Sequence, residues 1–157
     1  MTALKVKIEE LKPIRIASVR VISGNPERDA WRKLMGWAES KGLLRDPKSH
    51  PVFGYTCQPP HKNDTEYGYE FWISIDAETE VSGDIAEQTF AGGLYAVITH
   101  QGPPSPEAWK SLWDWVQTSP YKWRKAHELE SPRNPLAPEQ DWIFDMYLPI
   151  EMASTHL

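Results

Sequence analysis

What this chain has little of narrows it first. It holds a single cysteine, Cys57, so no disulfide can close within it, and a reducing compartment such as the cytoplasm fits. It has no run of about 18 apolar residues, so no membrane-spanning helix is expected. Its first ten residues lack the apolar stretch of a signal peptide, because Val6 and Ile8 alternate with charges. Positive charge is not in excess: the net charge of −5 argues against direct nucleic-acid binding, which needs a basic surface. Gly-x-Ser-x-Gly, a phosphate loop and a dinucleotide fingerprint are all missing. The histidines at 50, 61, 100, 127 and 156 stand far apart without cysteine partners, so neither a metal nor a cofactor is expected.

What the chain does have is rings, and one stretch written twice. Eight Trp and six Tyr in 157 residues are unusual; large flat rings fill a core or line a cleft, and two small half-domains have limited core to fill. Ala30-Trp31-x-x-Leu34-x-x-Trp37 returns as Ala108-Trp109-x-x-Leu112-x-x-Trp115, and Trp109 lies 78 positions after Trp31. Gly24 and Gly102, each closing a β-like run, keep the same spacing. So long an offset in so short a chain implies two copies of one supersecondary unit within a single domain spanning 1–157.

Each copy reads as β-α-β-β. In the first, about 14–76, Ile14–Ile22 is rich in β-branched residues. Asn25-Pro26-Glu27 is a helix start, and Gly42 is its stop. Val52–Gln58 and Tyr69–Ile75 follow as strands. In the second, about 89–151, Thr89–Gln101 reads as one strand containing Gly92-Gly93, which marks a bulge or a close backbone approach and is better read as the bulge. Ser105-Pro106-Glu107 starts the helix, which ends before Pro120. Tyr121–Lys125 is basic and aromatic and reads as a solvated helix exit. Ala126–Glu130 is a short strand, and Trp142–Ile150 is the last. The expected fold class is α+β: duplicated β-α-β-β units of SHS2 type forming an antiparallel sheet, with helices on one face and a ligand cleft on the other.

Side chains alternate across a strand. Tyr69, Phe71, Ile73 and Ile75 share one face, as do Phe144, Met146, Leu148 and Ile150, and these must meet the helices. The other face carries Glu70, Trp72 and Ser74 in one half and Asp145 and Tyr147 in the other. An acid beside an aromatic, twice, suits an amphipathic or cationic ligand. His100, at a strand end, and Cys57, in an apolar strand, read as structural.

With two β-α-β-β halves in view, the chain resembles the GyrI-like (gyrase-inhibitor-like) superfamily, related to effector-binding domains of AraC-type activators and MerR-type regulators. The residues that carry this are Val97-Ile-Thr-His-Gln-Gly-Pro103, Ala108-Trp109…Leu112…Trp115, Glu128-Leu129-Glu130…Asn134-Pro135 and Phe144–Ile150, over roughly residues 4 to 151. The resemblance implies a ligand held against rings near a carboxylate on the strand after the second helix, which is Glu128 or Glu130. It makes Trp72 and Tyr95 similar to pocket-lining rings, and Trp113 a cap. Glu70 and Tyr147 join them from the alternation above.

The first reading is a stand-alone small-molecule binder for amphipathic or cationic xenobiotic-type compounds, monomeric or homodimeric. With the first repeat already under way at residue 14 and seven residues after Ile150, no helix-turn-helix is expected on this chain. The alternative is a hydrolase of small reactive xenobiotics, with Glu128 or Glu130 as general base and Tyr95 or Tyr147 as hydrogen-bond donor. A second alternative is a DNA gyrase inhibitor acting through its surface.

Overall fold

A computed structural model describes residues 4–153 of the chain. Residues 1–3 of the N-terminal stretch, and His156, lie outside the described residues. The elements in chain order are β1 (Lys7–Leu11), β2 (Ile14–Ser23), α1 (Pro26–Ser40), β3 (Val52–Gln58) and β4 (Tyr67–Ser74). After them come β5 (Ala86–Phe90), β6 (Gly93–Gln101), α2 (Pro106–Gln117), β7 (Tyr121–Trp123), β8 (Leu129–Pro132) and β9 (Ile143–Met152). Short 3-10 turns at Leu43–Arg45 and Glu139–Asp141 complete them.

These elements form two compact units, one of residues 13–91 and one of residues from 92 onward together with the chain up to residue 12. The 13–91 unit is an antiparallel sheet in the order β3-β4-β2-β5, with α1 on one face. The other is an antiparallel sheet in the order β1-β6-β9-β8, with β7 paired to the end of β9 and α2 on one face. The expected α+β architecture with two sheet-packed helices is what forms.

The helices start where the chain says they should. Asn25 accepts the Arg28 N–H through Oδ1 at 3.4 Å, and Ser105 accepts the Ala108 N–H through Oγ at 3.1 Å. Each satisfies an otherwise orphaned donor ahead of a first-turn proline. Gly42, at φ +74°, turns the chain out of α1. Ala30, Leu34 and Ala38 of α1 are buried against Ala17, Val19, Tyr69, Phe71 and Ile73. Leu112 and Val116 of α2 are buried against Ala96, Ile98, Met146, Leu148 and Ile150. The repeated Ala and Leu are thus the helix-to-sheet contact in both units, each buried Leu contributing about 2 kcal/mol.

Three segments differ from the sequence expectation. Thr89–Gln101 is not one strand but the end of β5 and the whole of β6, which belong to different units. The break is at Gly92 and Gly93, with φ +74° and +125°. A Cβ on Gly92 would sit 2.2 Å from the Leu11 carbonyl oxygen, so the pair marks a close backbone approach between two strands and not the bulge expected within one. Tyr121–Trp123 is a strand, because it pairs with Ile150–Met152 rather than trailing off the helix. The strand expected over Ala126–Glu130 lies later, at Leu129–Pro132.

The glycine break has a topological consequence that the repeat alone conceals. β1 precedes β2 in the chain yet pairs with β6, and β5 precedes β6 yet pairs with β2. Each sheet therefore draws its edge strand from chain that leads into the other repeat.

Gly92→Ala is expected to cost at least about 3 kcal/mol, a left-handed backbone penalty of about 1–2 kcal/mol plus the clash with Leu11. Gly83→Ala, at φ +70° with no atom within 4 Å of the added Cβ, should show the backbone penalty alone. Chemical denaturation of both variants checks this, and equal losses would contradict the role given to the Leu11 contact.

Candidate functional site

Strand alternation sorts the candidate residues. In the 13–91 unit, β4 directs Tyr69, Phe71 and Ile73 to α1 and Glu70, Trp72 and Ser74 to the other face. Glu70 lies between Arg20 of β2 and Tyr55 of β3, its two register partners. Its carboxylate is fully engaged. Tyr55 Oη donates to Oε2 at 2.7 Å, Trp72 Nε1 to Oε2 at 2.6 Å, and Arg20 Nε to Oε1 at 2.9 Å. Burial pushes this carboxyl up, but the donors Trp72, Tyr55 and Arg20 outweigh it and hold it below its ordinary range. The Tyr55 phenol is pushed up to about 12, first by burial and then by the Glu70 carboxylate.

Rings close around that carboxylate. Tyr55 meets Trp72 edge-on at 5.4 Å between centroids, Trp72 meets Phe90 at 5.3 Å, and Phe90 meets Phe53 at 6.0 Å. Glu70 and Trp72 are only 3% and 5% exposed. This acid–aromatic pair is interior, with its hydrogen-bonding capacity used, rather than displayed on a bare face.

The second unit repeats the arrangement with other residues. Asp145 accepts from Thr99 Oγ1 and from Arg133 Nε, both at 2.8 Å. Tyr95 and Tyr147 pack edge-on at 5.9 Å. The face of Tyr95 is occupied: the Arg124 guanidinium sits 5.0 Å above the ring and donates to the Leu94 and Ile150 carbonyls at 3.0 and 3.2 Å. A Cβ on Gly93 would meet that guanidinium at 2.6 Å, so the glycine also makes room for the arginine. Burial first, then the charges of Asp145 and Glu9, push the Tyr147 phenol up. Burial raises Tyr95 as well, with Arg124 opposing.

The remaining predicted residues lie elsewhere. Glu130 is the register partner of Met146, which belongs to the core under α2, so Glu130 points to the α2 side. Trp113 is on α2 itself, its ring centroid 6.2 Å from that of Trp123 on β7. Glu128 comes immediately before β8. Its carboxyl is half-buried and makes no hydrogen bond or ion pair with the described residues; burial alone raises its pKa. The sequence-predicted set is therefore split. Glu70 and Trp72, and likewise Tyr95 and Tyr147, occupy the helix-free faces of their units, while Glu130 and Trp113 are on the helix side.

Residues the sequence reading passed over include Arg20, Tyr55 and Trp123. Tyr55 was readable, since alternation along Val52–Gln58 sets Phe53 and Tyr55 on one face. Arg20 and Trp123 required the register. His100 keeps its ring on the Gly102 carbonyl at 3.1 Å, and the Cys57 thiol is raised chiefly by burial, so both serve structure.

Two sheet-plus-helix units carrying buried acids among rings form a domain of the small-molecule-binding class. The chain belongs to the GyrI-like small molecule binding domain family, whose model matches residues 4–151. No curated protein sequence matches it. Among solved structures it is similar to the EcmrR C-terminal domain, with 17% identity and a TM-score of 0.69, over 97% of this chain and 100% of that one. It is also similar to EcmrR in a DNA complex, with 18% identity and a TM-score of 0.68; there it covers 95% of its own length but spans only 58% of that chain. A third likeness is to a hydrolase from Listeria innocua, at 10% identity and a TM-score of 0.68, over 94% of this chain and 92% of that one. No helix among the described residues is long and apolar enough to cross a membrane.

The two acids make opposite predictions for stability. Glu70 is depressed in the fold, so its contribution is full above the unfolded carboxyl range and is lost as pH falls through its folded pKa. Glu70→Leu should cost about 3 kcal/mol at neutral pH, since it strands the Tyr55 and Trp72 donors, and less in acid. Glu128 is raised, so the fold gains from it in acid and loses that gain as pH rises through its folded pKa. Glu128→Gln should therefore melt at or above the native temperature at pH 7, with the difference vanishing below about pH 4, the unfolded carboxyl range. Thermal melts across pH check both signs.

Proposed function

We propose that this domain binds a small amphipathic cation of xenobiotic type, with Glu128 as the counter-charge. The observation that carries the reading is the state of the carboxylates. Glu70 and Asp145 have donors on both oxygens, so neither has charge left for a ligand. Glu128 is half-buried, and burial is the sole cause of its raised pKa. An ionised carboxylate held out of water without a partner is relieved by an incoming cation. It adjoins Leu129, the register partner of Tyr147.

A second reading rests on the same residue. A half-desolvated carboxylate is also a general base of suitable strength, able to take a proton from water attacking a reactive substrate. Turnover in a screen of activated esters and strained rings, abolished by Glu128→Gln, would favour that reading.

Titration of quaternary ammonium and phosphonium compounds, followed by tryptophan fluorescence and calorimetry, tests the binding role. Affinity should rise with pH as Glu128 ionises and then level off, while a neutral compound of the same shape shows no such rise. Glu128→Gln should weaken the cations about tenfold and flatten the pH dependence, which corresponds to about 1.4 kcal/mol. No binding across the panel, or unchanged affinity in the variant, would remove the proposal.

A further inference from the structure

We infer that β1 is an interaction edge for a second copy of this chain, the two β1 strands pairing antiparallel about a two-fold axis at Ile8 so that one sheet runs through both copies. β1 is the end strand of its sheet: β6 lies on one side of it, and no described strand pairs with the other. Such an edge is a template for another strand unless its side chains forbid it. Two exposed large apolar side chains are here, Ile8 at 38% and Leu4, just ahead of the strand, at 41%.

The bonds on the far side of β6 fix which backbone groups that edge presents. The Gly102 N–H donates to the Trp142 carbonyl at 2.8 Å, and these two residues continue the β6–β9 register. Counting back in twos, Ile98 and Ala96 direct their N–H and C=O to β9, so Val97 and Tyr95 direct theirs to β1. The Arg124 and Arg133 N–H groups, which bond Pro149 and Ile143 from the other side of β9, agree with that phase. Lys7 and Glu9, the partners of Val97 and Tyr95, are therefore bonded to β6, and Ile8 and Glu10 present both backbone groups outward.

Symmetry and charge then choose one alignment. With the axis at Ile8, Lys7 faces Glu9 of the second copy, and Glu9 faces Lys7 of the second copy. These are the non-hydrogen-bonded pairs, where side chains stand closest. Ile8 meets its own copy, and Val6 and Glu10 oppose each other, as hydrogen-bonded pairs. Lys5 and Lys12 fall opposite Leu11 and Leu4, so no like charges stand directly opposite. Moving the axis to Lys7 sets Lys7 on Lys7, and moving it to Glu9 sets Glu9 on Glu9. Both charges are available. Lys7 is exposed and makes no ion pair among the described residues. Glu9 makes none there either; Arg133, which feels its charge, is bonded to Asp145. The helices leave room: three strand spacings, about 14 Å, separate the two β6 strands, more than the helix diameter of about 10 Å. β5, the end strand of the 13–91 unit, lacks this match, because its Glu87 is already paired with Arg15 at 2.6 Å and its Gln88 donates to Ser18 Oγ.

Sedimentation and amide hydrogen exchange of the full chain over a range of concentrations test this. Native protein should form a dimer that weakens with added salt. As it forms, the Ile8 and Glu10 amides should gain protection, while those of Lys7 and Glu9, already bonded to β6, should not change. Lys7→Glu and Glu9→Lys should each weaken the dimer about tenfold, because each turns both ion pairs into like-charge pairs, and the double variant should restore it. A monomer at every concentration would overturn the inference, as would a dimer that ignores the single reversals or gains its protection elsewhere. Equal protection of Ile8 and Glu10 at all dilutions would mean that one copy covers its own edge, and protection that requires an added extended peptide would make β1 a peptide-binding edge. Either result overturns the inference as well.

Discussion

Each strand must send successive side chains to opposite faces, and in both units only one of those faces has a helix. Most of the structure depends on that constraint. It gives each helix its row of Ala and Leu contacts, and it collects the polar residues of β4 and β9 on the other side. Once Glu70 and Asp145 are committed to that side and buried, they require donors, and the neighbouring strands supply them. Arg20 and Tyr55 come from β2 and β3, and Thr99 from β6. The rings around Glu70 are ordered by the same bonds, since Tyr55 and Trp72 are both donors and walls.

Two kinds of acid result. A carboxylate with donors on both oxygens is a structural strut that holds the groups around it in place. A carboxylate with burial and no partner is poised for an external charge or proton. Among the acids that the sequence singled out, Glu70 is the first kind and Glu128 the second. A cation already inside the molecule sharpens the contrast. Arg124 occupies Tyr95 in the way a ligand would occupy an open ring, which removes Tyr95 from the accessible surface.

The fold was largely legible in the chain. The Ala-Trp-x-x-Leu-x-x-Trp repeat, the two capped Pro starts and the alternation of Tyr69–Ile75 are local signals, and each gave its element. What failed was non-local. Thr89–Gln101 reads as one strand because its residues suit a strand throughout. The break at Gly92 comes from Leu11, more than seventy residues away in sequence. The exchange of β1 and β5 is invisible for the same reason. Glu70 and Asp145 were legible from the alternation as acids on the helix-free face, and the family resemblance pointed to Glu128 and Glu130. Which acid is saturated depends on cross-strand register, which no short window carries; Trp123 was passed over because its strand exists only through its pairing with β9.

The central claim is that Glu128 is held as an under-solvated, unpartnered carboxyl awaiting a positive charge. Carbon-13 NMR of glutamate carboxyls, with Glu128 assigned by substitution, measures this directly. Glu128 should titrate above the ordinary carboxylate range in the free protein and fall back when a hydrophobic cation is present in excess. Titration within the ordinary range in the free protein, or no response to the cation, would contradict it.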